Sequence, residues 1–314
     1  MRYSPTTRGT GMLALHKIFE QNAFYFSWSS RTFEQEKQMT HHDIYLLSFS
    51  LLLFIWFHPT PAHSLLWASL PFRRGGPRHE TPLSKCWDDP VLAVITEPDA
   101  CATDERTSQT LSSLRQALTV PGIDLISIRV TRDCCPDRVV NLIQELMSLV
   151  QQTSNNNNNT TKVVVTSDWM DAAVAAGAHG IHVKQAHQSK IPDIRHQFAP
   201  QIPLIGTSVH SVEAAIDAVQ RYQPDYLLVG TCYPTETHPE KSKADLEGPE
   251  LPGKVAKAIG SVCPVLAIGG INTKNCAEPI VFGASGVATI RAIMQAKDPA
   301  TIVQDMVNTM KQVY

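Results

Sequence analysis

The chain has 314 residues, of which 43% are hydrophobic and 18% charged, and its formal net charge is -2. This balance provides no basic field to attract nucleic acid or an anionic membrane surface, so we expect small-molecule ligands. The seven cysteines include no C-x-x-C pair, which argues against a disulfide framework or a zinc knuckle and favours reduced, buried thiols.

The first 85 residues differ in composition from the rest. Residues 44–57 form an uncharged apolar run that is short for a membrane span but typical of a signal peptide. Residues 65–85 carry four basic residues against one acid, which is typical of an organelle transit peptide. We therefore predict an N-terminal targeting extension over 1–85 that directs the chain to a plastid through the secretory route. A secreted or membrane-anchored protein is the alternative, although we expect no stable membrane insertion of the mature domain.

From residue 91 onward, short runs rich in valine, isoleucine and leucine alternate with segments of helical spacing, as in a parallel sheet covered by helices. The predicted strands are 91–96, 124–130, 162–166, 180–183, 204–208, 226–230, 265–268 and 286–290. The predicted helices are 105–119, 136–152, 170–176, 191–198, 211–222, 250–259, 273–282 and 299–314, the last with Asp298 as N-cap and Pro299 as the first helical residue.

Eight such strand–helix units predict the fold. They indicate an α/β protein with a single (β/α)8 TIM barrel over 90–314, whereas a doubly wound sheet typically has about five or six strands and a glycine-rich turn after the first. In a barrel the loops that follow the strands form the active face. The asparagine run 155–159 is predicted to be a disordered loop on the opposite face, with Asn158 and Asn159 heading glycosylation sequons.

Candidate anion-binding residues follow the last three strands. Gly269 and Gly270 would let backbone N–H groups approach a phosphate, and Ile290 with Arg291 would add a helix start and a charge, although a simple turn is the alternative for the glycines. The long loop 230–243 carries hydroxyls and lysines that could hold a second anion, unless it is solvated surface. The loop candidates are Thr235, Thr237, Lys241 and Lys243.

Polar residues also end the earlier strands. Strand alternation directs Ser127 and Arg129 into the barrel, and a buried arginine requires an anion. Asp168 is placed to bind magnesium or a substrate donor, or to cap a helix. Ser208 and His210 point alike, and His210 is either a proton carrier or a cap.

Five motifs resemble a known family in the correct order: GIHVKQ from Gly180, IGTSVHS from Ile205, VGTCYPTET from Val229, AIGGI from Ala267 and GVATIRAI from Gly286. They look like the strand-end motifs of thiamine phosphate synthases and TenI-like thiazole tautomerases. The resemblance covers the whole predicted barrel.

The resemblance implies a transferase that joins hydroxymethylpyrimidine pyrophosphate to thiazole phosphate with the help of Mg2+. Its partners would then be these phosphorylated pyrimidine and thiazole molecules, and the chain could form a homo-oligomer. It implies that Ser208 lines the reaction centre. By the same resemblance the pyrophosphate would contact Ser127, Arg129, Thr235, Thr237 and Lys241; magnesium would bind Asp168 and His187; and the thiazole phosphate would contact Gly269, Gly270, Ile290 and Arg291.

The chain also departs from the family pattern. The synthase motif Q-x-R-E-K here reads S-I-R-V-T from Ser127, the second metal-binding aspartate falls on His187, and the lysine after P-T-x-T falls on His238, where Lys241 or Lys243 could substitute. Losing a leaving-group cation and half of a metal site weakens transition-state stabilisation. A tautomerase that uses His210, or a non-catalytic protein that binds a phosphorylated ligand, therefore stays open beside the synthase.

Overall fold

A computed structural model of the protein describes residues 89–157, 160–236, 239 and 242–314. Short runs of β-branched and aliphatic residues form eight parallel strands, which pair in sequence order into a closed barrel. Pairing of Val91 with Gly286 closes the ring between the first and last strands, so the TIM-barrel prediction is confirmed. The strands are β1 Val91–Ile95, β2 Leu125–Ile128, β3 Lys162–Thr166, β4 Gly180–Val183, β5 Leu204–Val209, β6 Tyr226–Val229, β7 Val265–Ile268 and β8 Gly286–Thr289.

Helices alternate with these strands and cover the barrel. Asp298 caps the last one by accepting from the Thr301 N–H, with Pro299 in the first turn, as predicted. The helices are α1 Asp104–Ala117, α2 Pro136–Asn157, α3 Met170–Ala175, α4 Ile191–Phe198, α5 Val212–Tyr222, α6 Leu251–Ala258, α7 Ala277–Val281, α8 Arg291–Met294 and α9 Pro299–Lys311. Short 3-10 helices occupy Ser167–Trp169, Gln185–Lys190 and Lys243–Asp245.

One prediction about the helices is wrong. Helix α2 extends to Asn157, so the asparagine run begins inside a helix rather than in a disordered loop. Once a helix has formed, each added residue gains a backbone hydrogen bond, and this gain outweighs the weak propensity of asparagine, which costs up to about 0.7 kcal/mol relative to alanine. Helix α8 begins at Arg291, where a helix start is predicted after Ile290, but its four residues are not among the predicted helix ranges.

The core has two layers because strand side chains alternate. Residues such as Ile126 and Ile128 pack outward against the helices. The inward-facing residues fill the barrel, which is therefore not a pore. At Gly206 a Cβ atom would lie 2.0 Å from the Tyr226 ring, so glycine is required for the tyrosine to cross the interior. The buried interior residues are Val91, Ala93, Ile95, Leu125, Val164, Leu204, Tyr226, Leu228, Leu266 and Ala288.

The cysteine prediction is only partly correct. Among the described cysteines, all free, five are buried, but Cys135 is exposed. Within the part of the chain that the structure describes, no helix is long and apolar enough to cross a membrane. The predicted targeting extension 1–85, with its apolar run 44–57, lies outside the described residues, as do Asn158, Asn159, Thr237, His238 and Lys241.

Candidate active site

A buried histidine lies at the centre of the barrel. Alternation in β4 turns His182 inward, where its Nδ1 lies 3.0 Å from Tyr226 Oη and its Nε2 lies 2.8 Å from Ser208 Oγ. Burial, and to a smaller extent the positive charge of Arg129, lowers the pKa of His182 to about 4. The imidazole is therefore neutral at pH 7.

Arg129 follows β2 and places a positive charge near the neutral His182. Its backbone N–H donates to Thr96 Oγ1 at 2.8 Å, and its carbonyl accepts from the same hydroxyl at 3.0 Å, so Thr96 fixes the end of the strand. Burial lowers the pKa of the guanidinium, and no carboxylate among the described residues pairs with it. A half-buried cation of this kind is stabilised by an anionic ligand. Ser127, which lies in β2 two residues before Arg129, is buried.

The end of β5 carries Ser208 and, just beyond the strand, His210. Gln188 donates from Nε2 to Thr207 Oγ1 at 3.1 Å and to the Ser208 carbonyl at 3.0 Å, which holds the strand end in place. His210 contacts the Gly230 carbonyl through Nδ1, and the same nitrogen lies 3.3 Å from Glu247 Oε1.

The alternative of a capping role for His210 is wrong, because the adjacent Ser211 caps α5 by accepting from the Ala214 N–H at 3.1 Å. When Nδ1 carries the hydrogen that goes to Gly230, the neutral ring keeps a lone pair on Nε2. His210 is half exposed, and in this tautomer it can accept a proton from a ligand.

Asp168 is already paired with two cations. Arg132 Nη2 lies 2.6 Å from one carboxylate oxygen and Lys184 Nζ lies 2.8 Å from the other, while the Asp168 side chain is 8% exposed. The Arg132 guanidinium and the Lys184 ammonium hold the pKa of this carboxyl below its usual range. The helix-cap alternative is wrong, because α3 has no side-chain cap.

These contacts do not fit a preformed magnesium site. Both oxygens of Asp168 face cations, and His187 lies in a separate 3-10 helix. Among residues 89–157, 160–236, 239 and 242–314, no group of three or more histidine, cysteine, aspartate or glutamate residues could hold a metal ion. Magnesium usually keeps several waters and binds one or two carboxylates together with substrate phosphates, and the carboxylate assigned to it here, Asp168, faces two cations.

The opposite side of the barrel mouth is shaped by two glycines. Gly269 has φ +103° and Gly270 has φ +66°, a backbone region that favours glycine. A Cβ atom at Gly269 would lie 2.6 Å from Thr231 Cγ2, and one at Gly270 would lie 2.5 Å from the Pro234 carbonyl oxygen. The glycines thus provide the turn and also let the loop after β6 lie against it.

Arg291 connects that loop to the eighth strand. It opens α8 directly after Ile290, donates from Nη2 to Thr235 Oγ1 at 3.1 Å, and pairs with Glu236. Thr235 and Arg291, two residues predicted to bind anions, are therefore brought together. Their ligand-binding roles, like those of Thr237 and Lys241 outside the described residues, stay predictions.

Several residues of this region were missed by sequence reasoning. Alternation of β4 and β6 would have placed two of them in the interior, and a buried polar side chain in a strand is a signal of function. The salt-bridge partners had no such signal, because ion pairs between separate loops leave no pattern in one sequence. The missed residues are Arg132, His182, Lys184, Gln188, Tyr226 and Glu247.

Comparison with known proteins agrees with the motif resemblance. The family described as thiamine monophosphate synthase matches residues 92–293. A thiamine-phosphate synthase from Pyrococcus abyssi is 28% identical over 212 residues, 67% of this chain and 93% of that protein, and one from Pyrococcus furiosus is 30% identical over 213 residues with the same coverage. A solved structure of thiamine phosphate pyrophosphorylase from Pyrococcus furiosus superposes with a TM-score of 0.57 at 26% identity, covering 71% of this chain and 96% of that one.

Proposed function

Because the chain belongs to the thiamine monophosphate synthase family, we propose that its barrel joins hydroxymethylpyrimidine pyrophosphate to thiazole phosphate, with thiamine phosphate and pyrophosphate as products. The observation that supports this most strongly is Arg129, which pairs with no carboxylate among the described residues and whose charge acts on the neutral His182 that contacts Ser208. A cation without a protein carboxylate, next to neutral hydrogen-bonding groups, suits a substrate that loses an anionic leaving group.

In this reaction the bond between the pyrimidine methylene carbon and the pyrophosphate oxygen breaks, and the leaving group takes the electron pair. The thiazole nitrogen then donates its lone pair to that carbon. Arg129 would stabilise the charge that develops on the leaving pyrophosphate, because a fixed cation in a partly dry site needs no reorganisation. Arg291 and the turn at Gly269 and Gly270 would hold the thiazole phosphate.

Magnesium stays an expectation taken from the family resemblance. Asp168, the carboxylate assigned to it, pairs with Arg132 and Lys184, so a magnesium ion bound to Asp168 would have to displace at least one of them. Cationic side chains can themselves stabilise a phosphoryl leaving group. A chelator arm in the activity assay tests whether the reaction needs the metal.

A thiazole tautomerase is the second candidate, and one observation favours it. His210 uses Nδ1 for the Gly230 carbonyl, which leaves Nε2 as a proton acceptor at the barrel mouth. In that case His210→Ala should abolish isomerisation of the thiazole phosphate tautomer. The same change should leave thiamine phosphate formation within about tenfold of the wild-type rate, since general bases contribute about 100-fold or more only where they transfer a proton.

The test is a discontinuous assay of the full chain with both synthase substrates, with MgCl2 or with chelator, scoring thiamine phosphate and released pyrophosphate. We expect equal amounts of the two products, and a loss of at least about 100-fold for Arg129→Gln, which removes a charge aimed at the leaving group. Arg221→Gln is the matched control, because the ion pair that Arg221 forms with Asp217 within α5 is exposed. No product in either metal condition, with thiazole phosphate still bound, would eliminate the synthase.

We also propose that residues 1–85 direct the chain to a plastid, on the basis of the apolar run 44–57 and the acid-poor stretch after it. Fusing residues 1–85 to a fluorescent protein in a plastid-bearing cell should place the signal in that organelle. A fusion that lacks 44–57 should stay outside it. Secretion of the complete fusion would contradict the proposal.

A further inference from the structure

We propose that His182 is a positioning residue whose Nε2–H hydrogen, fixed by Tyr226, makes Ser208 a hydrogen-bond donor to the bound substrate. The identity of that substrate rests on the proposed function, whereas the direction of the hydrogen bonds rests on the barrel interior alone. The ligand partner of Ser208 would be a lone-pair acceptor, either a ring nitrogen or a phosphoryl oxygen.

The direction of these hydrogen bonds follows from the surroundings of the Tyr226 hydroxyl. The Tyr226 ring is fully buried across Gly206, and the His182 Nδ1 is the hydrogen-bond partner of its hydroxyl among the described residues. If Nδ1–H donated to Tyr226 Oη, the phenolic hydrogen would be buried without an acceptor, which costs about 1–3 kcal/mol. Tyr226 therefore donates, and Nδ1 accepts.

The neutral imidazole then carries its single hydrogen on Nε2. Burial, and to a smaller extent the nearby charge of Arg129, lowers the pKa of His182 and disfavours a second proton, so Nδ1 can accept from Tyr226. The Nε2–H group lies 2.8 Å from Ser208 Oγ and donates to it. One lone pair of the Ser208 hydroxyl is thereby used, and its own hydrogen is directed away from His182.

The Ser208 side chain is partly exposed where β5 ends, at the active face of the barrel. Its hydrogen can therefore reach a ligand in the barrel mouth. The competing arrangement is the reverse one, in which His182 Nε2 accepts the serine hydrogen and acts as a base toward a nucleophilic serine. The two arrangements share the same heavy-atom distances but place the hydrogens oppositely.

Substitution separates these two arrangements. In His182→Gln the amide oxygen can accept from Tyr226 and the amide nitrogen can donate to Ser208, which preserves the proposed direction but provides no base. We expect His182→Gln to keep kcat for thiamine phosphate formation within about tenfold of wild type. His182→Leu, which preserves neither hydrogen bond, should lose about 100-fold. Equal losses in the two folded variants would overturn the donor assignment.

A second measurement does not depend on activity. In the full chain labelled with ¹⁵N-histidine, two-bond ¹H–¹⁵N spectra at pH 7 distinguish a protonated from an unprotonated ring nitrogen. We expect a pair of resonances with Nε2 protonated and Nδ1 unprotonated, assigned to His182 by their loss in His182→Gln. Protonation at Nδ1 alone, or at both nitrogens, would overturn the proposal. An inactive protein with the expected tautomer would contradict only the proposed function.

Discussion

The two sides of the barrel mouth differ in whether backbone conformation or side-chain contacts fix their shape. On the side of β6 to β8, the backbone at Gly269 and Gly270 fixes the shape of the loop against it. On the side of β2 to β4, side chains fix the arrangement: Asp168 is held by two cations, and His182 by two hydroxyls. Two of the three departures from the family pattern, at 127–131 and 187, lie on this second side, whereas the third, at 238, falls in the loop after β6. A site made of side chains can be changed one residue at a time, whereas a backbone-made turn cannot.

The largest expected effect tests the backbone side. Gly270→Ala would place a Cβ atom 2.5 Å from the Pro234 carbonyl oxygen at φ +66°. We expect it to lower the free energy of unfolding by about 3 kcal/mol or more, from the left-handed backbone together with the steric clash. Urea denaturation measures this change.

Gly177→Ala provides the matched control for that experiment. Gly177 has φ +70°, but a Cβ atom there would meet no heavy atom within 4 Å. Only the conformational cost of about 1–2 kcal/mol applies. Equal losses in the two variants would show that the close approach of the loop to Gly270 has no structural importance.

The next prediction concerns the side of the mouth that is fixed by side chains, and it uses the pH dependence of the free energy of unfolding. The expected effect is of similar or smaller size. The pKa of His182 is about 4 in the fold against about 6.5 in the unfolded chain, so both states are neutral above pH 7. As the pH falls from about 6.5 to 4, only the unfolded state takes up the proton, and stability falls by up to about 3 kcal/mol. His182→Gln should lose this part of the pH dependence.

The measurement is the free energy of unfolding between pH 7 and pH 4 in wild type and variant. Other groups titrate in this window, including Asp124, whose pKa burial raises to about 6, so the difference between the two proteins is the relevant quantity. His196→Gln, at an exposed position of α4, should behave as wild type. Parallel curves for wild type and His182→Gln would contradict a buried neutral histidine.

The smallest effect concerns the paired carboxylate. Lys184→Ala should free one oxygen of Asp168 and raise magnesium affinity at most about fivefold, because an exposed ion pair contributes only about 1 kcal/mol or less. Calorimetric titration with MgCl2 checks this, with Lys254→Ala as control, since Lys254 pairs with Glu250 on the surface of α6. Tight magnesium binding by the wild type would show that Arg132 and Lys184 do not occupy the site.

Much of the fold could be predicted because the barrel leaves a regular pattern. Runs of buried strand residues alternate with amphipathic helices, and the closure follows from eight such units. The ends of the strands and helices were predicted less exactly. Strand β2 ends at Ile128, before Arg129, and α8 is a four-residue helix that is too short to show a period.

The site was predictable only in part. Residues at strand ends, such as Arg129 and Ser208, follow from alternation, and the same rule applied to β4 would have found His182. The pairing of Asp168 with Lys184 depends on how two loops meet, which no local spacing encodes. The sequence therefore indicates which positions face the mouth but not which of them neutralise each other.

The most direct test is calorimetric binding of the two substrates, each alone, to the full chain and to two variants, Arg291→Ala and Arg129→Gln. If each side of the mouth holds mainly one substrate, Arg291→Ala should weaken thiazole phosphate about 10- to 100-fold and should weaken the pyrimidine pyrophosphate, which Thr235 would also contact, clearly less. Arg129→Gln should do the reverse. If both variants weaken both ligands equally, or if the wild type binds neither, the two-sided account is contradicted.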